Sequence, residues 1–350
     1  MNTPTDSTRS RRDDDLSDSR LDAWMQAYVA GYAGPLTIER FSGGQSNPTY
    51  KLTTPTRCYV MRRKPAGRLL RGAHAVEREA KVMHALSTVG FPVPKVHGLC
   101  TDESIIGTWF YIMDLVEGRI IWDATFVQVP RADRPRYFDA MNATLAQLHT
   151  TDYAAIGLND FGRGGNYFER QIERWTKQYQ EDLDAGRDTN MDRMTEWLPQ
   201  HIPPGDETSI VHGDFRCDNM IFHPTEPKIV AVLDWELSTL GHPLADFAYH
   251  LLMYRLQPSG IAGLVGSDLQ ALNIPSEDEY VAAYCQRTQR ASIPHLHFYL
   301  AFNMFRFAAI VHGIKGRALR GTAASTESQE LVSGLPIFAE KAWSLALAST

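Results

Sequence analysis

The chain has 350 residues, 43% of them hydrophobic and 22% charged, the composition of a globular protein with enough apolar material for a substantial core. Its formal charge of −6, from 35 basic and 41 acidic residues, argues against non-specific nucleic-acid binding. Four cysteines, at 58, 100, 217 and 285, form no C-x-x-C pair, which favours reduced thiols and a cytoplasmic location; no apolar run reaches the roughly 20 residues of a membrane span, so stable membrane insertion is not expected.

The first segment, MNTPTDSTRSRRDDDLSDSR, lacks the hydrophobic core of a signal peptide, and its polarity predicts a disordered tail over residues 1–18. A helix is expected through LDAWMQAYVAGY, followed by three short strands in LTIERFSGGQSNPTYKLTTPTRCYVMRR, where Gly43, Gly44 and Pro55 punctuate the alternation. In AHAVEREAKVMHALSTVG the residues Val76, Ala80, Met83 and Leu86 fall at helical spacing, and TWFYIMDLVEG reads as a buried strand. Residues 19–116 are thus expected to form a small sheet with one inserted helix.

From residue 117 to 350 the pattern is mainly helical, with amphipathic helices in RYFDAMNATLAQLHTTD and NYFERQIERWTKQYQEDL and more helix from Pro243 onward. Two short apolar runs interrupt it, one around residues 209–212 and one at KIVAVLD. The expected class is α+β, a β-rich N-lobe followed by a larger helical C-lobe, the bilobal plan of the protein-kinase-like fold.

The segment IVHGDFRCDNMIF, residues 210–222, carries His212, Asp214 and Asn219 as H-x-D-x-x-x-x-N, and Asp234 ends the apolar run 20 residues beyond Asp214. Phosphoryl transfer needs such a set: one carboxylate to orient a hydroxyl and take its proton, and an amide oxygen with a second carboxylate to hold Mg²⁺ against phosphates. Asp214 follows one short strand, Asn219 precedes an apolar pair and Asp234 ends the next run. A hairpin-like arrangement is therefore expected to bring the three side chains to one end of the strands.

With FSGGQSNPTYKL, YVMRRKP, EREAKVMHAL, FYIMDLVEG, LAQLHTTDYAAIGL, HGDFRCDN and VLDWELSTLGHPLADFAYHL in order, residues 41–253 resemble the aminoglycoside phosphotransferase and choline kinase branch of the protein-kinase-like superfamily. The likeness is nearest to the kinase domain fused to some acyl-CoA dehydrogenases. The resemblance implies a catalytic base at Asp214, Mg²⁺ ligands at Asn219 and Asp234, support of the loop by His212, and a buried carboxylate at Asp246 that braces the same loop.

On the nucleotide side, Gly43, Gly44, Ser46 and Asn47 lie in a loop of small residues between strands, where backbone N–H groups can approach phosphate, although no Walker A motif is present. Arg62 stands where the V-A-I-K lysine of kinases stands, with Lys64 on the same strand face as the other candidate for the phosphates. Glu79 matches the helix glutamate that orients the basic residue, and Glu77 would point elsewhere. Met113 and Leu115 lie in the segment that resembles the adenine-binding hinge. Arg216, two residues past Asp214, is expected to offset charge at the transferring phosphoryl group, and Glu236 either to serve a second Mg²⁺ or to shape its loop by hydrogen bonding.

Twelve histidines include no H-E-x-x-H, and His295 and His297 at i, i+2 lack zinc spacing on a helix. Residues 298–307 read as a core helix, and Lys315, Arg317 and Arg320 as a solvated helix end. The function expected is transfer of the γ-phosphoryl group of ATP, or GTP, with Mg²⁺, to a hydroxyl of a small-molecule acceptor; the resemblance suggests a hydroxyacyl-CoA-type metabolite. An antibiotic kinase and a nucleotide-binding pseudokinase scaffold are the alternatives. Oligomeric state stays open.

Overall fold

The computed structural model describes residues 18–41, 47–65, 74–258, 263–321 and 331–349. The chain divides into two compact units, the first Met1–Ser87 with Pro94–Val116, the second Thr88–Val93 with Glu117–Thr350.

Unit 1 contains, in chain order, α1 (Asp18–Tyr28), β1 (Thr37–Arg40), β2 (Thr49–Thr53), β3 (Cys58–Arg63), α2 (Val76–Ser87), β4 (Val96–Cys100), α3 (Glu103–Ile106) and β5 (Phe110–Asp114). The five strands form one sheet in the order β1-β2-β3-β5-β4, with neighbouring strands antiparallel. A tight turn links β2 to β3: Thr54 N–H donates to the Arg57 carbonyl at 2.9 Å, while the Thr54 hydroxyl oxygen accepts from Arg57 N–H at 3.1 Å. Four consecutive residues of β5, Phe110 to Met113, are buried, as a strand with both faces covered requires. Helix α2 packs against β4 and β5 through its apolar stripe of Val76, Ala80 and Met83. A core cluster unites Trp24 and Met25 of α1 with Leu52, Met61, Phe110 and Ile112, and the Trp24 ring meets Phe110 edge-on at 4.9 Å.

Unit 1 has two elements the sequence pattern did not announce. Strand β4, VHGLC, lacks clean alternation because its register slips between Val96 and Gly98, and a Cβ at Gly98 would stand 3.0 Å from the Trp24 ring. Helix α3 is a single turn closed by Asp102 at its start and the left-handed Gly107 at its end.

Unit 2 contains β6 (Arg119–Ile120), α4 (Arg134–Thr150), α5 (Tyr167–Glu181), α6 (Thr189–Gln200), β7 (Ser209–Val211), β8 (Met220–Phe222), β9 (Ile229–Val232), β10 (Thr239–Gly241), α7 (Pro243–Leu251), α8 (Leu269–Leu272), α9 (Glu277–Arg287), α10 (Leu296–Leu319) and α11 (Leu335–Leu347). Helix α10 is buried from Phe298 through Ala309 and packs against α5, α6, α7 and α11, so the apolar run at 298–307 is core. The two short apolar runs do not share a sheet. Strand β7 pairs with β10, whereas β8 and β9 form a hairpin extended by β6. The expected hairpin exists, but its strands are β8 and β9, and the loop that carries Asp214 enters it from a separate two-stranded ribbon.

Among the described residues, no helix is long and apolar enough to cross a membrane. Leu52 is fully buried at the centre of the unit 1 cluster. Leu52→Ala is expected to cost about 2–5 kcal/mol, the range for truncating a core leucine, read as a lowered urea midpoint with an unchanged m-value.

Candidate active site

Strand β7 ends at Val211, and the chain turns sharply through His212 and Gly213. Gly213 has φ +85°, and a Cβ there would sit 2.9 Å from the Leu237 Cβ and 3.0 Å from its carbonyl oxygen, so both conformation and space demand glycine. The turn is held from beneath by Asp246, in the first turn of α7. Its Oδ2 accepts the His212 backbone N–H at 2.7 Å and its Oδ1 that of Gly213 at 2.8 Å. Behind it, His149 Nε2 lies 3.2 Å from Asp246 Oδ2, and His149 Nδ1 lies 2.7 Å from the Tyr284 hydroxyl. Burial pushes the Asp246 carboxyl pKa upward, but the hydrogen bond and charge of His149, with the backbone N–H of His212, outweigh it and hold the carboxyl below its ordinary value.

His212 is fully buried. Its Nε2 donates to the Leu233 carbonyl at 2.8 Å, and its Nδ1 accepts the Asp214 N–H at 3.2 Å, an arrangement that fits the neutral Nε2–H tautomer. The ring stands edge-on to Trp235 at 4.7 Å, and Trp235 donates its indole N–H to the Val232 carbonyl at 2.9 Å. His212 thus ties the Asp214 loop to the far end of β9.

The Asp214 carboxylate accepts hydrogen bonds from two side chains and forms an ion pair with a third. Asn219 Nδ2 donates to Oδ2 at 3.0 Å and to the Asp214 carbonyl at 2.9 Å; the Tyr249 hydroxyl donates to Oδ1 at 2.5 Å; Arg216 Nε lies 3.3 Å from Oδ1. Asn219 ends the 3₁₀ turn Cys217–Asn219, and its carbonyl accepts the Leu233 N–H at 2.8 Å, which puts the exit of β9 beside it. Asp234 follows in the left-handed conformation at φ +61°, a strained placement for a non-glycine residue. Glu236 is exposed in the next 3₁₀ turn, Trp235–Leu237. Among the described residues, no three His, Cys, Asp or Glu side chains cluster as a self-contained metal site.

Arg216 is committed to carboxylates, with Nη2 donating to Asp218 Oδ2 at 2.7 Å beside the Asp214 contact. Burial disfavours its charge, but Asp214, Tyr249 and Asp218 reverse that and raise its pKa. Asp218 is pushed the opposite way from Asp246: burial raises its carboxyl, Arg216 opposes this, and the charges of Asp214 and Asp234 add to the rise. Asp214, Asp218 and Asp234 therefore share one electrostatic neighbourhood.

In unit 1, Arg62 Nε forms an ion pair with Glu79 Oε2 at 3.0 Å, and Glu79 is 2% exposed. Glu79 also accepts from Asn47 Nδ2 at 2.9 Å and from the Tyr111 hydroxyl at 3.1 Å. The Asn47 side chain is buried, with its Oδ1 3.0 Å from His74 Nδ1 and its Nδ2 on Glu79. Lys64 pairs with Glu77 at 2.8 Å and its ammonium lies 4.1 Å from the centre of the Trp109 ring, so the two basic residues are sorted onto different glutamates. Met113 is buried in β5, paired with β3 on one side and β4 on the other, and Leu115 is half-buried just beyond the strand. Gly43, Gly44 and Ser46 lie outside the described residues.

Residues 37–289 match the family model described as the phosphotransferase enzyme family, APH. The chain belongs to the phosphotransferase enzyme family. It is 44% identical over 329 residues to acyl-CoA dehydrogenase family member 10 of Mus musculus, covering 93% of this chain; it spans only 31% of that relative's length. A solved structure from Ralstonia eutropha, provisionally named an aminoglycoside phosphotransferase, is 49% identical, covers 95% of this chain and 98% of that one, and superposes with a TM-score of 0.89. The aminoglycoside phosphotransferase APH(4)-Ia, solved with AMP-PNP and hygromycin B, is 13% identical over 93% of this chain and 98% of that one; its TM-score of 0.61 speaks to the fold alone. The small antiparallel sheet and the larger helical part are those of the kinase-like fold.

In this family member, two residues at the loop gave no clear signal in the sequence. Tyr249 stands three positions after Asp246 on α7, and that i, i+3 spacing was the available signal for a second side chain facing the loop. Arg306, buried in α10, donates Nη2 to the Gly213 carbonyl at 3.0 Å; it lies inside an aromatic run and gave no polar signal.

His250, also on α7, has its Nδ1 2.9 Å from the Phe215 carbonyl and its Nε2 2.7 Å from the Tyr280 hydroxyl, and burial lowers its pKa to about 4. The unfolded chain takes up this proton below about pH 6.5 while the folded protein refuses it until about pH 4. Stability is therefore expected to fall by up to about 1.4 kcal/mol per pH unit between those limits from this group. Buried His242, similarly lowered to about 4, acts in the same direction. Urea unfolding from pH 7.5 to 4.5 checks this; a flat profile below pH 6.5 contradicts it.

Proposed function

We propose that the chain is a Mg²⁺-dependent kinase that transfers the γ-phosphoryl group of ATP to a hydroxyl of a small molecule. The observation that carries this reading is the assembly of Asp214, Asn219 and Asp234 at the β7–β8 loop and the β8–β9 hairpin end, on a loop braced by Asp246. The donor set suits Mg²⁺, which prefers oxygen and takes few protein ligands when phosphates and water complete its shell. Asn219 turns its amide nitrogen toward Asp214, which directs its oxygen the other way, and Asp234 offers a carboxylate. Asn219 and Asp234 would hold the ion, with Glu236 near enough in sequence to assist through water. When bound, the ion neutralises phosphate charge and fixes the nucleotide for in-line transfer.

The residues of this chain then have distinct tasks. Asp214 receives the acceptor hydroxyl, orients its oxygen toward the γ-phosphorus and takes the proton as the new O–P bond forms and the bond to the departing ADP breaks. His212 and Asp246 keep that carboxylate in place. In unit 1, Glu79 presents Arg62 to the α- and β-phosphates, whose oxygens a guanidinium fork can meet pairwise. The backbone near Met113 and Leu115 is the proposed adenine contact, and the loop with Gly43, Gly44 and Ser46 the proposed cover of the phosphates. Arg216 would leave Asp218 to meet negative charge on the transferring group.

For the acceptor we favour a hydroxylated acyl metabolite of the hydroxyacyl-CoA type. Support comes from the name of the mouse relative, a chain called after the acyl-CoA dehydrogenases, of which this sequence matches a part. The name of the Ralstonia structure favours an aminoglycoside instead.

Purified protein, incubated with Mg²⁺ and ATP or GTP against hydroxyacyl-CoAs, amino alcohols and aminoglycosides, is expected to release ADP (or GDP) only with its acceptor. Asp214→Asn is expected to lower kcat by about 10²–10⁴-fold, the usual contribution of a positioned general base. Turnover with aminoglycosides alone would replace the acyl reading, and nucleotide binding without any turnover across the panel would favour a scaffold. Arg216→Ala is expected to lower kcat by more than about tenfold with little change in the KM for ATP, the pattern of an interaction made in the transition state; full activity would remove Arg216 from the mechanism.

A further inference from the structure

Tyr249 has no part in the roles assigned above, yet it makes the shortest contact to the Asp214 carboxylate, 2.5 Å from Oη to Oδ1. It projects from α7 one turn beyond Asp246, so a single rigid helix supplies both the brace for the loop backbone and a donor to the loop's carboxylate. The ring is itself held: the Arg306 guanidinium carbon lies 5.3 Å from its centre, while Nη2 of the same arginine donates to the Gly213 carbonyl. Burial first, then the charge of Asp214, raise the Tyr249 pKa well above the ordinary phenol value, so the hydroxyl keeps its proton and remains a donor.

We infer that Tyr249 is a positioning residue that locks the Asp214 carboxylate in one orientation and reserves Oδ2 for the acceptor hydroxyl; this rests on the kinase reading above. A carboxylate offers about four lone-pair sites. On Oδ1, Tyr249 occupies one and Arg216 approaches at 3.3 Å; on Oδ2, Asn219 occupies one. The remaining direction on Oδ2 is where an incoming O–H can be received. Without the phenol, Asp214 keeps Asn219 but loses its second fixed point, and the carboxylate can rotate about its own axis toward Arg216.

The test is a double-mutant cycle of Tyr249→Phe and Asp214→Asn in the full chain. With the acceptor found in the panel, Tyr249→Phe is expected to lower kcat by about tenfold, as for loss of a hydrogen bond to a charged group, with KM for ATP and acceptor within about twofold. In the Asp214→Asn background the same change is expected to cost less than about twofold, because its effect passes through the carboxylate. An unchanged kcat, or a loss that adds in full to that of Asp214→Asn, overturns the inference. An independent reading needs no acceptor: in chain labelled with 3-fluorotyrosine, the ¹⁹F signal assigned by Tyr249→Phe is expected to move when Asp214 becomes Asn. A Tyr249 signal indifferent to Asp214→Asn overturns the contact itself. A panel silent for the wild type counts against the kinase reading, while the fluorine arm still decides the contact.

Discussion

The loop that carries Asp214 hangs on one buried carboxylate. Asp246 accepts two consecutive backbone N–H groups, those of His212 and Gly213, and through them fixes the direction in which Asp214 leaves β7. Those N–H groups come from a turn that cannot pair them in a sheet ladder, and leaving them buried without partners would cost about 1–3 kcal/mol each. Burying a lone carboxylate is costly too, and His149 offsets that from behind. The position of Asp246 is inherited from α7. His242 caps that helix, its Nδ1 accepting the Leu244 N–H at 3.2 Å; Pro243 opens it with a pre-set φ; and Asn303 of α10 donates to the Ala245 carbonyl at 2.8 Å. A carboxylate in the first turn also lies at the favourable end of the helix dipole. The core helix thus places α7, α7 places Asp246, and Asp246 places the loop.

Unit 1 solves a related problem with different partners. Glu79 is almost wholly buried and gathers Arg62, Asn47 and Tyr111, all side chains. Asp246 shapes backbone, whereas Glu79 aims a guanidinium, and removal of either carboxylate would leave several donors unpaired at once. These partners hold Arg62 in place on a strand whose neighbouring residues turn inward.

The local parts of the site were legible in the sequence, and the parts that depend on remote packing were not. H-x-D-x-x-x-x-N could be read because His212, Asp214 and Asn219 are bound to one another within a few residues. Long amphipathic elements such as α2, α4 and α5 declared themselves by their spacing. Strands β8 and β10 are three residues each, too short for any period to register, and the β7–β10 pairing needs the whole intervening hairpin to be placed first. The side-chain contact of Asn47 gave no local signal, because its partner Glu79 lies 32 positions away. Arg306 is hidden for the opposite reason: inside an apolar run a single arginine reads as tolerated, when its guanidinium lies between the faces of Trp175 and Tyr249.

The electrostatics of the loop separate structure from use. Asp214, Asp218 and Asp234 act on a common neighbourhood, and the cation paired with the first two is Arg216. Asp246 and Glu79 are each matched by donors and read as structural; Asp218 is pushed toward its neutral form by burial and by its anionic neighbours. Asp234 is moreover held at a positive φ, which costs roughly 1–3 kcal/mol for a side-chain-bearing residue. A loop selected for stability alone would shed such strain and like-charge crowding. The crowding of carboxylates around Asp218 is what a bound cation can relieve, and it fits the Mg²⁺ proposed for Asn219 and Asp234. The like-charge crowding of the loop and the proposed chemistry are thus parts of one arrangement, in which a bound cation would offset the mutual repulsion of Asp214, Asp218 and Asp234.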